Sequence, residues 1–187
     1  PLGFNNSYAL GVREDVAENL KLRRLSDLAA HRELRLGLSQ EFLARQDGWP
    51  GLSRAYGLGQ LPSGLDHGLA YEALAAGHID VLDLYSTDAK IARYRIRVLE
   101  DDHRFFPRYD AVLLHRAAAP QRYARQWQGI ARLEARLDDA QMIRLNAAAE
   151  LDGRSFAQAA SLFYGAGEDR PAPRFLDVLF MPDLWRL

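Results

Sequence analysis

The spacing of apolar and polar positions divides the first hundred residues into short strands and helices. Apolar residues alternate with polar or small ones in the strand segments, and they recur at helical spacing between them. The pattern predicts strands at 8–12, 34–38, 79–85 and 96–99, with helices that begin near 13, 27, 40, 49, 65 and 87. Because strands and helices alternate, this part is predicted to be an α/β lobe with a mainly parallel sheet.

The pattern changes to predominantly helical after a further short strand predicted at 111–115. Three segments rich in Ala, Leu, Arg, Glu and Gln have helical spacing, at 122–137, 138–151 and 155–163. The final apolar run at 175–181 suits a strand or a packed helix equally well. The chain is therefore predicted to join an α/β lobe to a mainly helical part.

Composition excludes several classes of protein. Hydrophobic residues make up 48% of the 187 positions, which is enough for a globular core. Because 24 basic residues face 25 acidic ones, no electrostatic attraction to nucleic acid or to an anionic membrane is expected. The chain has no cysteine, so disulfides and thiolate metal sites are excluded.

The beginning of the chain carries a separate expectation. It starts at Pro1 without an initiator methionine or a signal peptide. We therefore interpret the sequence as a fragment or a processed piece. No apolar run in it approaches the roughly 20 residues that a membrane helix needs.

No motif in the sequence indicates catalysis, a metal or a cofactor. Asp101, Asp102 and His103 are consecutive, so their side chains diverge and do not match a known ligand spacing. The five histidines are scattered and lie outside known catalytic motifs. Gly57-Leu58-Gly59 lacks the third glycine and the preceding strand of a dinucleotide loop. The chain is predicted to be neither an enzyme nor a cofactor-binding protein.

Three motifs carry a resemblance to one family: the run from Gly37 to Leu52, Tyr-Ser-Thr-Asp-Ala at 85–89, and the run from Leu99 to Pro107. They resemble the substrate-binding proteins of osmoprotectant importers, the glycine betaine, choline and carnitine binders of ABC transport systems. The resemblance implies a two-lobed periplasmic-binding-protein-like fold of type II, whose lobes close on the ligand. On that pattern, residues 1–100 form the second α/β lobe with the entry crossing. Residues 101–187 form the return crossing and the mainly helical remainder of the first lobe, whose opening part has no counterpart here.

The resemblance also implies an aromatic cage for a quaternary ammonium group. Such a cation cannot donate a hydrogen bond, so a protein holds it with the negative faces of aromatic rings. The matching positions are Tyr8, Tyr85 and Tyr109, with Phe42 beside them. Each ring also has an ordinary explanation as a packed core residue.

Two further contacts follow from the same resemblance. Arg45, three positions after Phe42 on the predicted helix, matches the residue that pairs with a ligand carboxylate. An ion pair with Asp47 is the alternative explanation for Arg45. The backbone carbonyl of Asn6 is predicted as an additional ligand contact.

The function implied by the resemblance is capture of a quaternary ammonium compatible solute, such as glycine betaine, and its delivery to an ABC permease at the periplasmic or extracytoplasmic face of the membrane. Choline and ergothioneine are alternative ligands with the same cationic head. A truncated structural or interaction module that binds no ligand is the alternative from another class. Helices that lack part of their sheet should expose apolar surface, which makes a homodimer possible.

Overall fold

The computed structural model describes residues 1–164, so the apolar run at 175–181 lies outside the described residues. Within them, five strands form one sheet in the order β3-β2-β4-β1-β5. The strands are β1 (Tyr8–Arg13), β2 (Leu36–Ser39), β3 (Ser63–Leu65), β4 (Val81–Tyr85) and β5 (Ile96–Val98). Four of them lie where the alternation predicts strands.

Helices fill the connections between the strands. In the sheet-containing part they are α1 (Glu14–Leu20), a 3₁₀ helix (Leu25–Ala30), α2 (Gln40–Ala44), α3 (Trp49–Tyr56), α4 (His67–Ala75) and α5 (Lys90–Arg93). The later part contains α6 (Ala119–Arg122), α7 (Ala124–Ala131), α8 (Asp139–Glu150) and α9 (Phe156–Tyr164). The helix predicted at 122–137 is shorter than expected, because α7 ends at Ala131. The helices predicted at 138–151 and 155–163 are confirmed as α8 and α9. None of the helices within residues 1–164 combines the length and apolar character needed to cross a bilayer.

The sheet is mixed, so the prediction of a mainly parallel sheet is wrong. β2 runs parallel to β3 and to β4. β1 runs antiparallel to β4 and to β5. Periodicity identifies a strand but carries no information about its direction, and β3, with only Ser63, Gly64 and Leu65, is too short to show alternation.

The strand predicted at 111–115 is also wrong. Among the described residues this run forms no ladder, and only Asp110 beside it makes an isolated bridge, to Asn5. Val112 and Leu114 are 62% and 98% exposed. An apolar run becomes a strand only where a neighbouring strand can accept its backbone hydrogen bonds. None of the five strands of the sheet lies beside residues 111–115 as a partner.

Apolar residues cover both faces of the sheet. On one side, Leu10, Val12 and Leu38 pack with Phe42 and the residues of the 3₁₀ helix. On the other side, Tyr71 and Leu74 of α4 pack against the strand residues Leu82, Leu84 and Ile96. Helices on both faces of the sheet are the layering expected of an α/β lobe.

Two extended segments run side by side at the edge of this lobe. The Leu2 N–H donates to the Ala111 carbonyl at 2.8 Å, and the Ala111 N–H donates to the Phe4 carbonyl at 3.0 Å. The later helices also contact the lobe, because the Asn146 side chain donates to the Thr87 carbonyl at 3.0 Å. The segment after β5 therefore runs beside the first residues of the chain.

Candidate ligand-binding site

The predicted aromatic residues meet at one edge of the sheet, where β2 and β4 end and β1 begins. Tyr8 and Tyr85 are directly opposite each other in the antiparallel ladder of β1 and β4. Their ring centroids are 5.0 Å apart. Residues opposite each other on neighbouring strands share a face, so two tyrosines separated by 77 positions become neighbours. The carboxyl ends of parallel strands are where open α/β sheets place their ligands.

Phe42 lies behind the Tyr8 ring, on α2. The Ser39 hydroxyl caps this helix by accepting the Phe42 N–H at 3.1 Å, and it donates to buried Asp83 at 2.7 Å. The Phe42 ring centroid lies 5.0 Å from that of Tyr8, and Phe42 is fully buried. Phe42 therefore supports Tyr8 from the core side.

Tyr109 reaches the same cluster from the segment that follows β5. Its ring is perpendicular to that of Tyr8, with the centroids 6.3 Å apart. Its backbone N–H donates to the Asn5 side chain at 2.6 Å, which fixes the segment beside the start of the chain. Phe106, which was not among the predicted cage residues, lies 6.4 Å from Tyr8.

Asn6 lies beside these rings. Its backbone N–H donates to the Tyr109 carbonyl at 3.1 Å, and its side chain accepts from the Thr87 hydroxyl at 2.7 Å. These two bonds hold the segment between Asn5 and Tyr8 against Tyr109 and against Thr87, which follows β4. The site prediction for the Asn6 carbonyl remains a prediction.

Two carboxylates accept from the tyrosine hydroxyls of the cluster. The Tyr8 hydroxyl donates to Glu41 at 3.0 Å, and the Tyr109 hydroxyl donates to Asp47. Burial is the main cause of a raised pKa at Tyr8, with hydrogen bonds to Tyr85 and Glu41 adding to it, and burial followed by the bond to Asp47 raises the pKa of Tyr109. Both phenols therefore stay protonated, and donation to an anion leaves their rings richer in electrons.

Arg45 is held in a two-pronged ion pair. Its Nε and Nη2 atoms donate to Asp47 at 2.8 and 2.6 Å. This bond, followed by the one from Tyr109, lowers the pKa of Asp47 to about 2. The guanidinium carbon lies 5.7 Å from the Tyr8 ring centroid, and Nη1 lies 3.8 Å from Glu41. The structure thus contains the Asp47 pair that was the alternative explanation for Arg45, and it also places a cation over a predicted cage ring.

The spacing around Asp47 depends on two glycines. A Cβ atom at Gly48 would collide with the Phe42 carbonyl, and one at Gly51 would lie 2.8 Å from the Phe105 ring. Glycine at these positions lets α3 start close against α2 and against the segment that carries Phe106 and Tyr109. The Asp-Gly-Trp-Pro-Gly run therefore brings three parts of the site together.

His67 and Asp88 lie behind Tyr85 and were not predicted. The His67 ring lies 5.2 Å from the Tyr85 ring, and its Nε2 atom lies 3.2 Å from Asp88. Asp88 also accepts the Tyr85 N–H at 3.0 Å. The sequence offers no signal for His67, whereas Glu41 and Phe106 lie inside the motifs that carry the resemblance.

The arrangement suits an organic cation better than a metal. Over residues 1–164, no group of three or more His, Asp or Glu side chains is placed to hold a metal ion. The site contains tyrosine rings, the carboxylates of Glu41 and Asp47, and the guanidinium of Arg45. Such a surface can hold a cation by its methyl groups and by charge.

The fold of this lobe is that of type II periplasmic substrate-binding proteins. A solved structure described as a glycine betaine/carnitine/choline ABC transporter superposes with a TM-score of 0.77 at 34% identity, covering 88% of this chain and 61% of that one. The substrate binding domain of the ABC-type glycine betaine transport system matches residues 1–166. The chain belongs to that family, which confirms the resemblance seen in the sequence. Since this is a family of transport substrate-binding proteins, the prediction that the chain is not an enzyme is also confirmed.

Curated relatives differ in the ligand that their names give. A glycine-betaine-binding protein of Pseudomonas aeruginosa is 33% identical over 176 residues, which cover 87% of this chain and 57% of the relative. The ergothioneine transport permease/ergothioneine binding protein EgtU of Helicobacter pylori is 32% identical over 147 residues, covering 78% of this chain and 27% of the relative. The chain thus spans little more than half of one relative and about a quarter of the other.

Proposed function

We propose that this chain captures a quaternary ammonium compound at the Tyr8–Tyr85–Tyr109 edge for delivery to an ABC permease. The observation that carries the proposal is the convergence of three tyrosine rings from distant segments at one edge of the sheet. Each of the three hydroxyls has a carboxylate acceptor, Glu41 for Tyr8 and Tyr85 and Asp47 for Tyr109, which makes the ring faces more attractive to a cation.

The expected affinity follows from these contacts. A cation–π contact contributes about 0.5–2 kcal/mol, depending on how well water is excluded. A few such contacts, together with a charge-assisted pair and after the entropic cost of association, are consistent with a dissociation constant on the order of micromolar.

A ligand carboxylate would pair with Arg45, and the Asn6 carbonyl would lie against the bound headgroup. Glycine betaine is the leading candidate because it combines a trimethylammonium head with a carboxylate, and a relative and a solved structure carry its name. Choline and ergothioneine are the alternatives with the same kind of head.

The paired segments at residues 2–6 and 109–111 are our candidates for the two crossings between lobes. A ligand that touches both lobes would favour their closure, and the permease would read the closed form. Such capture would take place on the periplasmic or extracytoplasmic side. The domain limits at residue 100 and the homodimer remain predictions.

Titration calorimetry with glycine betaine, choline and carnitine tests the proposed function. We expect heat from at least one ligand and a roughly tenfold weaker affinity in Tyr85→Leu, because one cation–π contact is lost. Tyr123→Leu is the matched control, since Tyr123 is 47% exposed and lies between α6 and α7 rather than at the edge. A folded protein that gives no heat with any of them would favour the structural module instead.

A further inference from the structure

Helix α8 reaches the edge of the sheet where the tyrosines meet, and it does so at two points. The Asp139 side chain accepts the Asn5 N–H at 2.8 Å. The Asn146 side chain donates to the Thr87 carbonyl at 3.0 Å. Asp139 and Asn146 are about two turns apart, so they lie on the same face of the helix. One helix of the later part therefore holds two of the segments that form the edge.

The start of α8 is fixed by its own capping residues. The Asp138 side chain accepts the Gln141 N–H at 2.7 Å, and the Gln141 side chain accepts the Asp138 N–H at 2.9 Å. Reciprocal bonds of this kind set the position at which a helix begins. The capping box thereby helps to place Asp139 and Asn146 against the lobe.

Thr87 connects α8 to Asn6. Thr87 is 3% exposed, and its hydroxyl donates to the Asn6 side chain at 2.7 Å. Asn6 in turn donates its N–H to the Tyr109 carbonyl at 3.1 Å. Thr87 also lies two positions after Tyr85, at the end of β4. A displacement of Thr87 would therefore reach both Tyr85 and the segment that carries Tyr109.

The bond from Asn146 is well placed to control this arrangement. Asn146 is half-buried, so water replaces its amide at the Thr87 carbonyl less readily than it would on an open surface. Hydrogen bonds in a connected network also depend on one another, so the loss of one donor weakens the next contact. Binding residues keep a productive geometry only when the residues behind them are held in this way.

Resting on the function proposed above, we propose that Asn146 is a positioning residue for the cation site: through Thr87 it holds Asn6 beside Tyr85 and Tyr109. Its contact is with a backbone carbonyl, so the ligand does not need to touch it. The later helical part of the chain thus contributes to ligand affinity, although Tyr8 and Tyr85 belong to the strands of the lobe.

The test is a choline titration of the 187-residue chain, of Asn146→Leu, of Thr87→Val and of the double variant, followed by nuclear magnetic resonance so that weak binding is measured. Each single substitution keeps a similar side-chain shape and removes one hydrogen-bond donor. We expect each to raise the dissociation constant about fivefold. Because both act through Asn6, the double variant should lose about as much affinity as one single variant, rather than the product of the two losses.

Asn19→Leu is the matched control, and it should leave the dissociation constant unchanged, because Asn19 is exposed on α1. Thermal unfolding of the same variants separates positioning from stability. A lower Tm for Asn146→Leu with an unchanged dissociation constant, or losses that multiply in the double variant, would overturn the role given to Asn146 while the proposed function stands. If neither choline nor glycine betaine binds any of the folded proteins, wild type included, the proposed function fails and this inference fails with it.

Discussion

Two tyrosine–carboxylate clusters lie on either side of Tyr85, and they differ in how fully the carboxylate is satisfied. Behind Tyr85, Asp88 accepts from the Tyr71 hydroxyl at 2.6 Å, from the Tyr85 N–H at 3.0 Å, and faces His67. Its side chain is 21% exposed. In front, the Glu41 side chain is 58% exposed although it accepts from Tyr8.

The difference separates a structural role from a binding role. A carboxylate whose acceptor positions are filled by protein donors holds a loop in place. One that faces solvent can still lend its charge to a ligand. The same tyrosine–carboxylate chemistry therefore stabilises the fold at Asp88, whereas the exposed Glu41 keeps charge available for a ligand in the function proposed above.

Asp101 belongs with Asp88 in this comparison. It accepts from the Tyr56 hydroxyl and from two backbone N–H groups, those of Phe105 and Phe106, at 2.9 and 2.8 Å. These bonds shape the turn that carries Phe106 and Tyr109 to the site. The acidic run at Asp101 and Asp102, which matches no metal-ligand spacing in the sequence, thus has a structural use for its first member.

The largest expected effect comes from Asp101→Ala. Two backbone N–H groups and one hydroxyl would lose their acceptor, which we expect to lower the free energy of unfolding by about 2–3 kcal/mol. Urea denaturation measures it. Glu41→Ala is the control, and it should change stability by less than about 0.5 kcal/mol because Glu41 is exposed. Equal losses in the two variants would erase the distinction between the clusters.

A smaller effect is expected from removing one hydroxyl in each cluster. Tyr71→Phe leaves the partly buried Asp88 without one donor and should cost about 1.5 kcal/mol. Tyr8→Phe should cost about 0.5 kcal/mol, since water can solvate exposed Glu41 instead. Thermal unfolding of the two variants provides the comparison. A larger loss for Tyr8→Phe than for Tyr71→Phe would contradict it.

The smallest effect is a dependence on pH at His67. The hydrogen bond to Asp88 raises the pKa of His67 against the opposing effect of burial, with Asp83 adding to the rise and Lys90 opposing it. Burial alone would raise the pKa of Asp88, but bonds from His67, Tyr71 and Tyr85 outweigh it and lower that pKa, so Asp88 stays charged where His67 titrates.

Because the folded pKa of His67 is raised, its stabilisation is complete below the unfolded pKa of about 6.5 and is lost as the pH rises through the folded pKa. We expect the free energy of unfolding of the wild type to exceed that of His67→Gln by about 1 kcal/mol at about pH 5.5. The difference should shrink as the pH rises towards about 9. Urea denaturation at several pH values measures this. His103→Gln is the control, since His103 contacts Asp102 only at 4.0 Å with a half-exposed side chain. A difference that grows with pH would contradict the assigned pair.

The sequence predicted where four of the strands and the three tyrosine rings lie, but not how the strands pair. Alternation located β1, β2, β4 and β5, and the helix predicted to begin near residue 40 is found as α2. The direction of β1 was not predictable, because periodicity is the same in both directions. The antiparallel register of β1 and β4 nevertheless decides that Tyr8 meets Tyr85.

The partners of the charged groups were harder to predict than the rings. Tyr8, Tyr85 and Tyr109 came from the family resemblance, and the structure brings them together. The hydrogen bond from Tyr8 to Glu41 depends on how α2, the five-residue helix that Ser39 caps, is rotated about its own axis. Nothing local in the sequence encodes such a rotation, which results from packing Phe42 into the core.

The most direct test of the central claim follows the tyrosine ring signals of the 187-residue chain by nuclear magnetic resonance during a choline titration. Binding at the proposed edge predicts saturable shifts for Tyr8, Tyr85 and Tyr109, with Tyr56 and Tyr94 unmoved. Shifts confined to Tyr56 and Tyr94, or ring signals that stay unchanged at saturating choline, would contradict the proposed cation site.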